Sequence, residues 1–330
     1  MLRTETSLRR LLSVNTQGRR AAAGAGRTLG LLGLALVSAL TGSADAQTAP
    51  APGTGPYAGP GPHEVVQADN VGVGFETTGV DDTEICKLML PFLTSGQGTR
   101  AELNAFAQFP KTLRPTLHAL FRPKTLEAGK QYPVVVWGNG TCASPISYTS
   151  LLTRLASYGF IVIAPNSRMV GDGSALRLAL DYLERENATA SSPLYGKVDL
   201  TRIGAAGHSS GGDAAIWAAT DDTRIRTLFP ILTLGSVTKP MPTFYLAGSA
   251  DALYPPEYVH DAYAASPGPV WYGLLQGLDH IMPATEPERI EPVTIAWFLA
   301  QLVDDPAAKA WFEGSDCKLC RDPAWTIERK

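Results

Sequence analysis

The chain contains 330 residues, of which 45% are hydrophobic, and it carries a formal net charge of -3 at pH 7. Asp and Glu (31) outnumber Lys and Arg (28), whereas a protein that binds nucleic acid normally presents a basic surface. We therefore expect a soluble globular protein without a nucleic acid partner.

Residues 1–46 have the organisation of a secretory signal peptide. Arginines are spread over residues 3–27, an apolar segment follows at 29–40, and Ala44-Asp45-Ala46 fits a cleavage site of small residues. A transmembrane anchor is the alternative, but this apolar segment is shorter than the roughly 20 residues needed to cross a bilayer. We predict cleavage after Ala46 and a secreted or periplasmic protein without stable membrane insertion.

Residues 47–62 are expected to form a tether. The sequence APAPGTGPYAGPGP at 49–62 contains five prolines and four glycines, which disfavour regular hydrogen-bonded structure. The remaining residues, 63–330, show neither an internal repeat nor a second linker, and a chain of this length can fold around one core. We predict a single domain here and expect a monomer.

Beyond the tether, apolar runs rich in Val, Ile and Phe alternate with segments whose apolar residues recur at three and four positions. The predicted strands cover residues 132–138, 160–165, 202–207, 226–232, 242–248 and 270–276, and the predicted helices cover 147–159, 174–187, 211–220 and 288–303. This alternation predicts an α/β fold with a mostly parallel central sheet and helices on both faces. Residues 63–122 are more polar, and we expect them to supply antiparallel strands at one edge.

The four cysteines form an even set, and an exported protein can oxidise them to two disulfides. Cys317 and Cys320 are separated by two residues and have no second pair or nearby histidines. A local disulfide is therefore favoured over a zinc or redox site, although three pairings are possible. Cys86 would then pair with Cys142.

The segment Gly207-His208-Ser209-Ser210-Gly211 lies between a predicted strand and a predicted helix, and it fits the pattern G-x-S-x-G. In this pattern a sharp turn lifts the central serine above the sheet. Glycine is expected at both ends because a β-carbon at either position would collide where strand and helix approach each other. A turn of small residues with a serine helix cap is the alternative, and we favour the catalytic interpretation.

A serine hydroxyl needs a base that accepts its proton and an acid that orients the base. Asp251 and His280 each lie on a loop that follows a predicted strand, at the edge where Ser209 is expected. The chain order serine, aspartate, histidine is the one expected for this type of serine turn. We predict Ser209 as the nucleophile, His280 as the base and Asp251 as the acid. Asp279 is the alternative acid.

The other histidines and aspartates are weaker candidates. Two histidines precede the serine, one lies inside the turn and one lies in a helix-like stretch: His63, His118, His208 and His260. Three aspartates on or just after the helix that follows the serine are expected to face away from the imidazole: Asp213, Asp221 and Asp222.

The carbonyl oxygen that becomes negative during attack by the serine needs hydrogen-bond donors. One donor is the backbone N–H of Ser210. The loop GNGTCASP after the strand at 132–138 is expected to supply the other, which we assign to Thr141. Asn139 and Gly140 are alternatives, and a strand-to-helix turn without this role is the other interpretation.

Three stretches carry a family resemblance: SSPLYGKVDLTRIGAAGHSSGG at 191–212, LASYGFIVIAPNS at 155–167 and GPYAGP at 55–60. They resemble the secreted bacterial cutinases and polyester hydrolases of the α/β-hydrolase superfamily, and the resemblance extends over residues 115–313. It implies an α/β-hydrolase fold and a carboxylic ester hydrolase without a cofactor or metal. A terminal disulfide is also usual in that family, with a different cysteine spacing.

The resemblance implies that Ser209, Asp251 and His280 form the catalytic triad. A peptidase or acyltransferase on the same fold and a noncatalytic hydrolase-like binding protein are the alternative functions. We expect the ester function because the three residue types occur in the required order, each after a strand.

Some positions differ from the usual pattern of that family. Thr141 stands where the family usually has an aromatic residue, and Ser210 stands where it has methionine. Residues 229–240 lack its binding-site tryptophan, and Asp213 replaces a glycine. We expect a small-molecule or polymeric ester as the substrate. Because the aromatic residues hold the acyl or aryl part of a polymer repeat in that family, their absence favours a different ester, with an aromatic polyester as the alternative.

Overall fold

The structure, a computed structural model, describes residues 55–72, 75–79, 86, 111–115 and 117–330. Within these residues nine strands form one sheet and two others form a separate antiparallel pair. The strands are β1 Val65–Val71, β2 Phe75–Gly79, β3 Lys111–Pro115, β4 His118–Pro123, β5 Tyr132–Gly138, β6 Ile161–Pro165, β7 Val198–His208, β8 Ile225–Ile231, β9 Thr243–Gly248, β10 Val270–Leu275 and β11 Trp325–Arg329.

The large sheet has the spatial order β1-β4-β6-β5-β7-β8-β9-β10-β11. The strands from β6 to β10 in this order are parallel to one another, whereas β4 and β11 run antiparallel to their neighbours. Every run predicted as a strand forms one. The central strands are almost entirely buried, as expected for a parallel sheet that is covered on both faces.

The helices are α1 Thr149–Ser157, α2 Ser174–Ala188, α3 Ser210–Asp221, α4 Pro256–Ala265, α5 Met282–Thr285, α6 Glu291–Phe298, α7 Pro306–Lys309 and α8 Lys318–Arg321. Helices α1 and α6 belong to the core on one face of the sheet, and α2, α3 and α4 belong to the core on the other. Along β5, Val135 and Trp137 face the first core, while Val134 and Val136 face the second. This arrangement confirms the predicted α/β-hydrolase fold.

One edge of the sheet was predicted from the sequence, and the other was not. At one edge β1 and β4 provide the antiparallel strands expected from residues 63–122. At the other edge β11 pairs with β10, from Trp325 opposite Leu275 to Arg329 opposite Trp271, and no pattern in the sequence led us to predict it. The strand has only five residues and none is fully buried, so its pairing depends on a distant partner.

Residues 55–62, the last part of the expected tether, form turns that lie against α1. The N–H of Gly61 donates to Ser157 Oγ at 2.8 Å, and the Tyr57 ring packs on that of Tyr158 with centroids 5.7 Å apart. These residues lack helix and strand, as their prolines and glycines dictate. They nevertheless contact the folded body and do not extend from it as a tether.

The expected signal peptide, residues 1–46, and the beginning of the expected tether lie outside the described residues. Among the helices in the described part of the chain, none combines the length and the apolar character needed to cross a membrane.

Two disulfides occur among the described residues, and they are the favoured pairs. Cys86 and Cys142 have Cα atoms 5.4 Å apart, and the Cα atoms of Cys317 and Cys320 are 5.0 Å apart. The first bond joins positions 56 residues apart and attaches to the loop after β5, whereas the second joins positions three residues apart at the start of α8.

The two disulfides are expected to differ in their contribution to stability. Loop-closure entropy assigns about 4 kcal/mol to the long loop and about 2 kcal/mol to the short one. Replacing Cys86 and Cys142 by alanine should therefore lower the free energy of unfolding by about twice as much as the same change at Cys317 and Cys320. Denaturant titrations of both double variants measure this difference, and equal losses would contradict it.

His118 in β4 is buried beside Tyr182, and its Nδ1 has no hydrogen-bond partner among the described residues. Burial, together with the charge of Arg185, lowers its pKa to about 4. The unfolded chain therefore binds a proton near pH 6.5 that the folded chain does not bind. The stability that depends on neutral His118 is complete above pH 6.5 and is lost as pH falls toward 4.

We expect this histidine alone to lower the free energy of unfolding by about 1.5 kcal/mol between pH 6.5 and pH 5. In His118→Gln, which cannot titrate, that part of the pH dependence should disappear. Urea unfolding of both proteins at both pH values measures it. An unchanged pH dependence in the variant would contradict the assignment.

Candidate active site

The turn between β7 and α3 places Ser209 at its apex, with φ of 56° and ψ of -126°. A positive φ is uncommon for a residue other than glycine and marks a sharp turn. A β-carbon on Gly207 would overlap the carbonyl oxygen of Gly211, and one on Gly211 would overlap that of Gly138. This close approach of backbones is the reason for glycine that the sequence pattern predicted.

The loops after β7, β9 and β10 bring Ser209, Asp251 and His280 together. Nε2 of His280 lies 2.9 Å from Ser209 Oγ, and its Nδ1 lies 2.7 Å from Asp251 Oδ2. Ser209 and Asp251 are only 5% and 4% exposed. The imidazole is thus linked to a hydroxyl on one side and to a carboxylate on the other, an arrangement that can remove the hydroxyl proton.

Backbone groups fix the orientation of the Asp251 carboxylate. Its Oδ1 accepts hydrogen bonds from the N–H groups of Leu253 at 2.9 Å and Tyr254 at 2.7 Å. Rotation of the carboxylate would break both bonds, so Oδ2 stays directed at His280. The carboxylate is therefore held in place before the imidazole gains a proton.

Asp279, the alternative acid, has other partners. Its Oδ1 accepts hydrogen bonds from the N–H groups of Ile281 at 2.8 Å and Met282 at 2.9 Å, and it closes the turn that precedes α5. The Nδ1 of His280 lies against Asp251 instead. The structure therefore brings Asp251, and not Asp279, to the imidazole.

His208 lies beside this arrangement, with its ring centroid 5.0 Å from that of His280. Its Nδ1 is 2.8 Å from the Tyr148 hydroxyl, which accepts a hydrogen bond from the N–H of Gly140 at 3.1 Å. Burial lowers the pKa of His208 well below its usual range, and the charge of His280 lowers it further. His208 is therefore neutral.

The other weaker candidates lie outside the cleft. His118 belongs to β4, His260 contacts Glu328 at 3.1 Å, and Asp222 pairs with Arg224 at 2.6 Å. None of these contacts involves the residues around Ser209.

Asp213, in the first turn of α3, fastens the loop after β8. Its Oδ1 accepts hydrogen bonds from the hydroxyl of Thr233 and from the N–H groups of Leu234 at 3.2 Å and Gly235 at 2.7 Å. A glycine could not make these bonds. The aspartate therefore holds the segment in which the expected tryptophan is missing.

The loop after β5 places Thr141 beside the start of α3. The N–H of Gly140 is occupied by the Tyr148 hydroxyl, and the N–H of Cys142 donates to the Arg168 carbonyl at 2.9 Å. Within the described residues, the N–H of Thr141 meets no backbone carbonyl. Of these three neighbouring N–H groups, that of Thr141 is the one still able to bind a substrate oxygen.

The side chains around Thr141 have different partners. The amide of Asn139 donates to the carbonyls of Pro165 at 2.7 Å and Ser167 at 3.0 Å, so it points back toward the sheet. The Thr141 hydroxyl instead donates to Ser210 Oγ at 2.8 Å. The two residues predicted to supply the oxyanion donors are thus in direct contact.

A cleft of about 280 Å³ opens at Ser209. It is lined by Gly140, Thr141, Cys142, Ala143, Ser147, Tyr148, His208, Ser209, Leu253, His280, Ile281 and Ala284. Most of these side chains are small or aliphatic, and Ile281 is half exposed. In the part of the chain that the structure describes, no three His, Cys, Asp or Glu side chains come together as a metal site.

Two tyrosines contact the histidines of this site and were not predicted from the sequence. The Tyr254 ring lies edge-on to His280 with centroids 4.8 Å apart, and Tyr148 joins the loop after β5 to His208. Burial raises the pKa of both hydroxyls, so both remain protonated donors. The position of Tyr254 three residues after Asp251 could have indicated its place, whereas no sequence signal marks Tyr148.

Comparisons with known proteins place the chain among related hydrolases. A family model for PETase, described as PET hydrolase-like, matches residues 120–319, which is more than half of the chain. The bis(hydroxyethyl) terephthalate hydrolase of Streptomyces coelicolor is 28% identical over 277 residues, covering 73% of this chain and 86% of that protein. Cutinase 2 of Thermobifida cellulosilytica is 26% identical over 204 residues, covering 58% of this chain and 74% of that protein.

Replacing Gly211 by alanine is expected to damage the site through the backbone. The added methyl would overlap the Gly138 carbonyl, which should lower the free energy of unfolding by about 2 kcal/mol or more and remove most ester hydrolysis. Gly59→Ala is the control, because nothing lies within 4 Å of its added β-carbon. Unfolding curves and esterase rates measure both effects. Similar behaviour of the two variants would contradict the close packing.

Proposed function

Because the chain belongs to the PET hydrolase-like family and is a carboxylic ester hydrolase, we propose that it acts through a serine nucleophile and an acyl-enzyme intermediate. The observation that carries the proposal is the pair of hydrogen bonds from His280 to Ser209 and Asp251. An imidazole that contacts both a hydroxyl and a buried carboxylate can accept the hydroxyl proton and later donate it to the leaving group.

In the first half of the reaction, Ser209 Oγ attacks the ester carbonyl carbon while His280 Nε2 accepts the hydroxyl proton. Asp251 accepts a hydrogen bond from the Nδ1–H of His280, which keeps the imidazole in the required tautomer and stabilises the imidazolium. The carbon–oxygen bond to the leaving alcohol then breaks, and His280 returns the proton to that alcohol. The acyl group stays on Ser209.

In the second half, a water molecule attacks the acyl carbon and gives a proton to His280. The bond between the acyl carbon and Ser209 Oγ then breaks, and Oγ receives that proton from His280. The carboxylic acid leaves and the enzyme is restored. Neutral His208 supports both halves, because a second positive charge 5.0 Å from His280 would oppose formation of the imidazolium.

Two backbone N–H groups are proposed to bind the oxyanion, those of Thr141 and Ser210. Ser210 is the first residue of α3, where a helix leaves N–H groups unpaired and carries partial positive charge. Thr141 lies against Ser210 from the loop after β5, and its neighbours Gly140 and Cys142 use their N–H groups elsewhere. Preorganised donors of this kind stabilise the transition state directly.

The proposed substrates are small or polymeric carboxylic esters. The names of two relatives refer to a terephthalate ester hydrolase and a cutinase, which supports this class. The aliphatic side chains of Leu253, Ile281 and Ala284 line the cleft and suit an apolar acyl group. Thr141 and Ser210 stand where an aromatic residue and a methionine are usual in the family, which favours an ester different from the family's aromatic polyesters and leaves aromatic esters as the alternative.

We further propose that the protein is exported as a monomer, with residues 1–46 removed and residues 63–330 as its catalytic domain. The two disulfides support this route, since such bonds form and persist in oxidising compartments.

Ser209→Ala is expected to reduce hydrolysis of short p-nitrophenyl esters by about 10³-fold or more, because loss of a triad nucleophile typically costs at least that much. Initial rates measure the loss, and Ser191→Ala, an exposed serine outside the cleft, is the control. Retention of more than about a thousandth of the rate would overturn the assignment. A fluorophosphonate probe that failed to label the folded protein would instead indicate a noncatalytic binding protein.

A further inference from the structure

The Thr141 hydroxyl donates to Ser210 Oγ at 2.8 Å, and this bond links two segments that are 69 residues apart in the chain. One segment is the loop after β5 and the other is the first turn of α3. Both side chains are partly buried at the cleft. The same two residues carry the backbone N–H groups that the proposed function assigns to the oxyanion hole, and the inference that follows rests on that function.

The residues on either side of Thr141 in the loop after β5 are anchored to other parts of the chain. Gly140 is held through the Tyr148 hydroxyl, and Cys142 is held through the Arg168 carbonyl and the disulfide to Cys86. These anchors hold the residues that flank Thr141. The hydrogen bond of the Thr141 hydroxyl holds Thr141 itself and joins it to Ser210, which carries the other N–H donor.

The chemistry of the pair suits this task. Threonine is branched at Cβ, which restricts rotation about χ1 and fixes the direction of its hydroxyl. The backbones of the two segments meet at Gly138 and Gly211, and the Thr141 hydroxyl adds a direct bond to Ser210 beside the two N–H groups. An oxyanion hole requires its donors within a few tenths of an ångström of their working position, and a misplacement of about 1 Å can cost 10²-fold in rate.

We propose that the hydroxyl pair of Thr141 and Ser210 positions the two backbone donors of the oxyanion hole. The side chains of both residues have a positioning role, because the bond between their hydroxyls fixes the distance between the two backbone N–H groups. The developing oxyanion meets both donors in the transition state, whereas the ground-state ester needs them less. The pair should therefore affect kcat more than KM.

Thr141→Val tests the pair because valine keeps the shape and the backbone N–H but lacks the hydroxyl. We expect kcat for a short p-nitrophenyl ester to fall about tenfold, with KM changed by less than about twofold, since the donor is displaced and not removed. Ser210→Ala should give a similar loss. Thr141→Ser, which restores the hydroxyl, should recover most of the rate lost in the valine variant.

The double variant Thr141→Val/Ser210→Ala should lose no more than the worse single variant, because both changes break the same bond. Inactivation by diethyl p-nitrophenyl phosphate should slow by a similar factor, since its phosphoryl oxygen needs the same donors. Thr149→Val is the matched control. The Thr149 hydroxyl donates within its own turn, to the Ile146 carbonyl at 3.1 Å, and its removal should leave kcat unchanged.

Three results would overturn the proposal: a kcat for Thr141→Val within twofold of wild type, losses that multiply in the double variant, or a change confined to KM. If Thr141→Val did not fold, as judged by its unfolding curve, Ser210→Ala alone would decide by the same criteria. Ser209→Ala, assayed in parallel, separates the two claims. If it is inactive while the hydroxyl variants are not impaired, only the positioning role fails, whereas an active Ser209→Ala refutes the proposed function.

Discussion

The close approach of two backbones, at Gly138, the last residue of β5, and at Gly211 in α3, is the constraint on which the rest of the site depends. Without β-carbons at these positions the first turn of α3 can rest against the loop that follows β5. This contact sets Ser209 at the apex of its turn and brings Thr141 within hydrogen-bonding distance of Ser210. This steric condition thus places the proposed nucleophile and brings the two proposed oxyanion donors near each other, where the hydroxyl pair can position them.

The charges of the site follow from burial and from a small number of fixed hydrogen bonds. Asp251 is held by two backbone N–H groups and directs its free oxygen at His280. His208, although its ring is 5.0 Å from that of His280, is kept neutral by burial and binds Tyr148. The His280 imidazole can therefore accept a proton while the Asp251 carboxylate stays ionised beside it. Ester hydrolysis by the proposed route requires this combination.

The fold and the meeting of the three side chains could be predicted because they depend on local patterns. Continuous apolar runs predicted the parallel strands, and the rule that strand ends share one edge of the sheet predicted which loops would meet. The contacts of β11, Tyr148 and Asp213 could not be predicted, because each depends on a partner that only the folded chain brings near. The contacts of residues 55–62 could not be predicted for the same reason. Their composition dictates an irregular backbone but does not indicate which surface they contact.

The central claim is that Ser209 attacks a carbonyl whose oxygen is held by the N–H groups of Thr141 and Ser210. A crystal structure of the protein inactivated by diethyl p-nitrophenyl phosphate tests it most directly, because the tetrahedral phosphorus resembles the intermediate. We expect phosphorus bonded to Ser209 Oγ and the phosphoryl oxygen about 2.7–3.1 Å from both nitrogens. An adduct on another residue, or a phosphoryl oxygen directed away from both N–H groups, would contradict it.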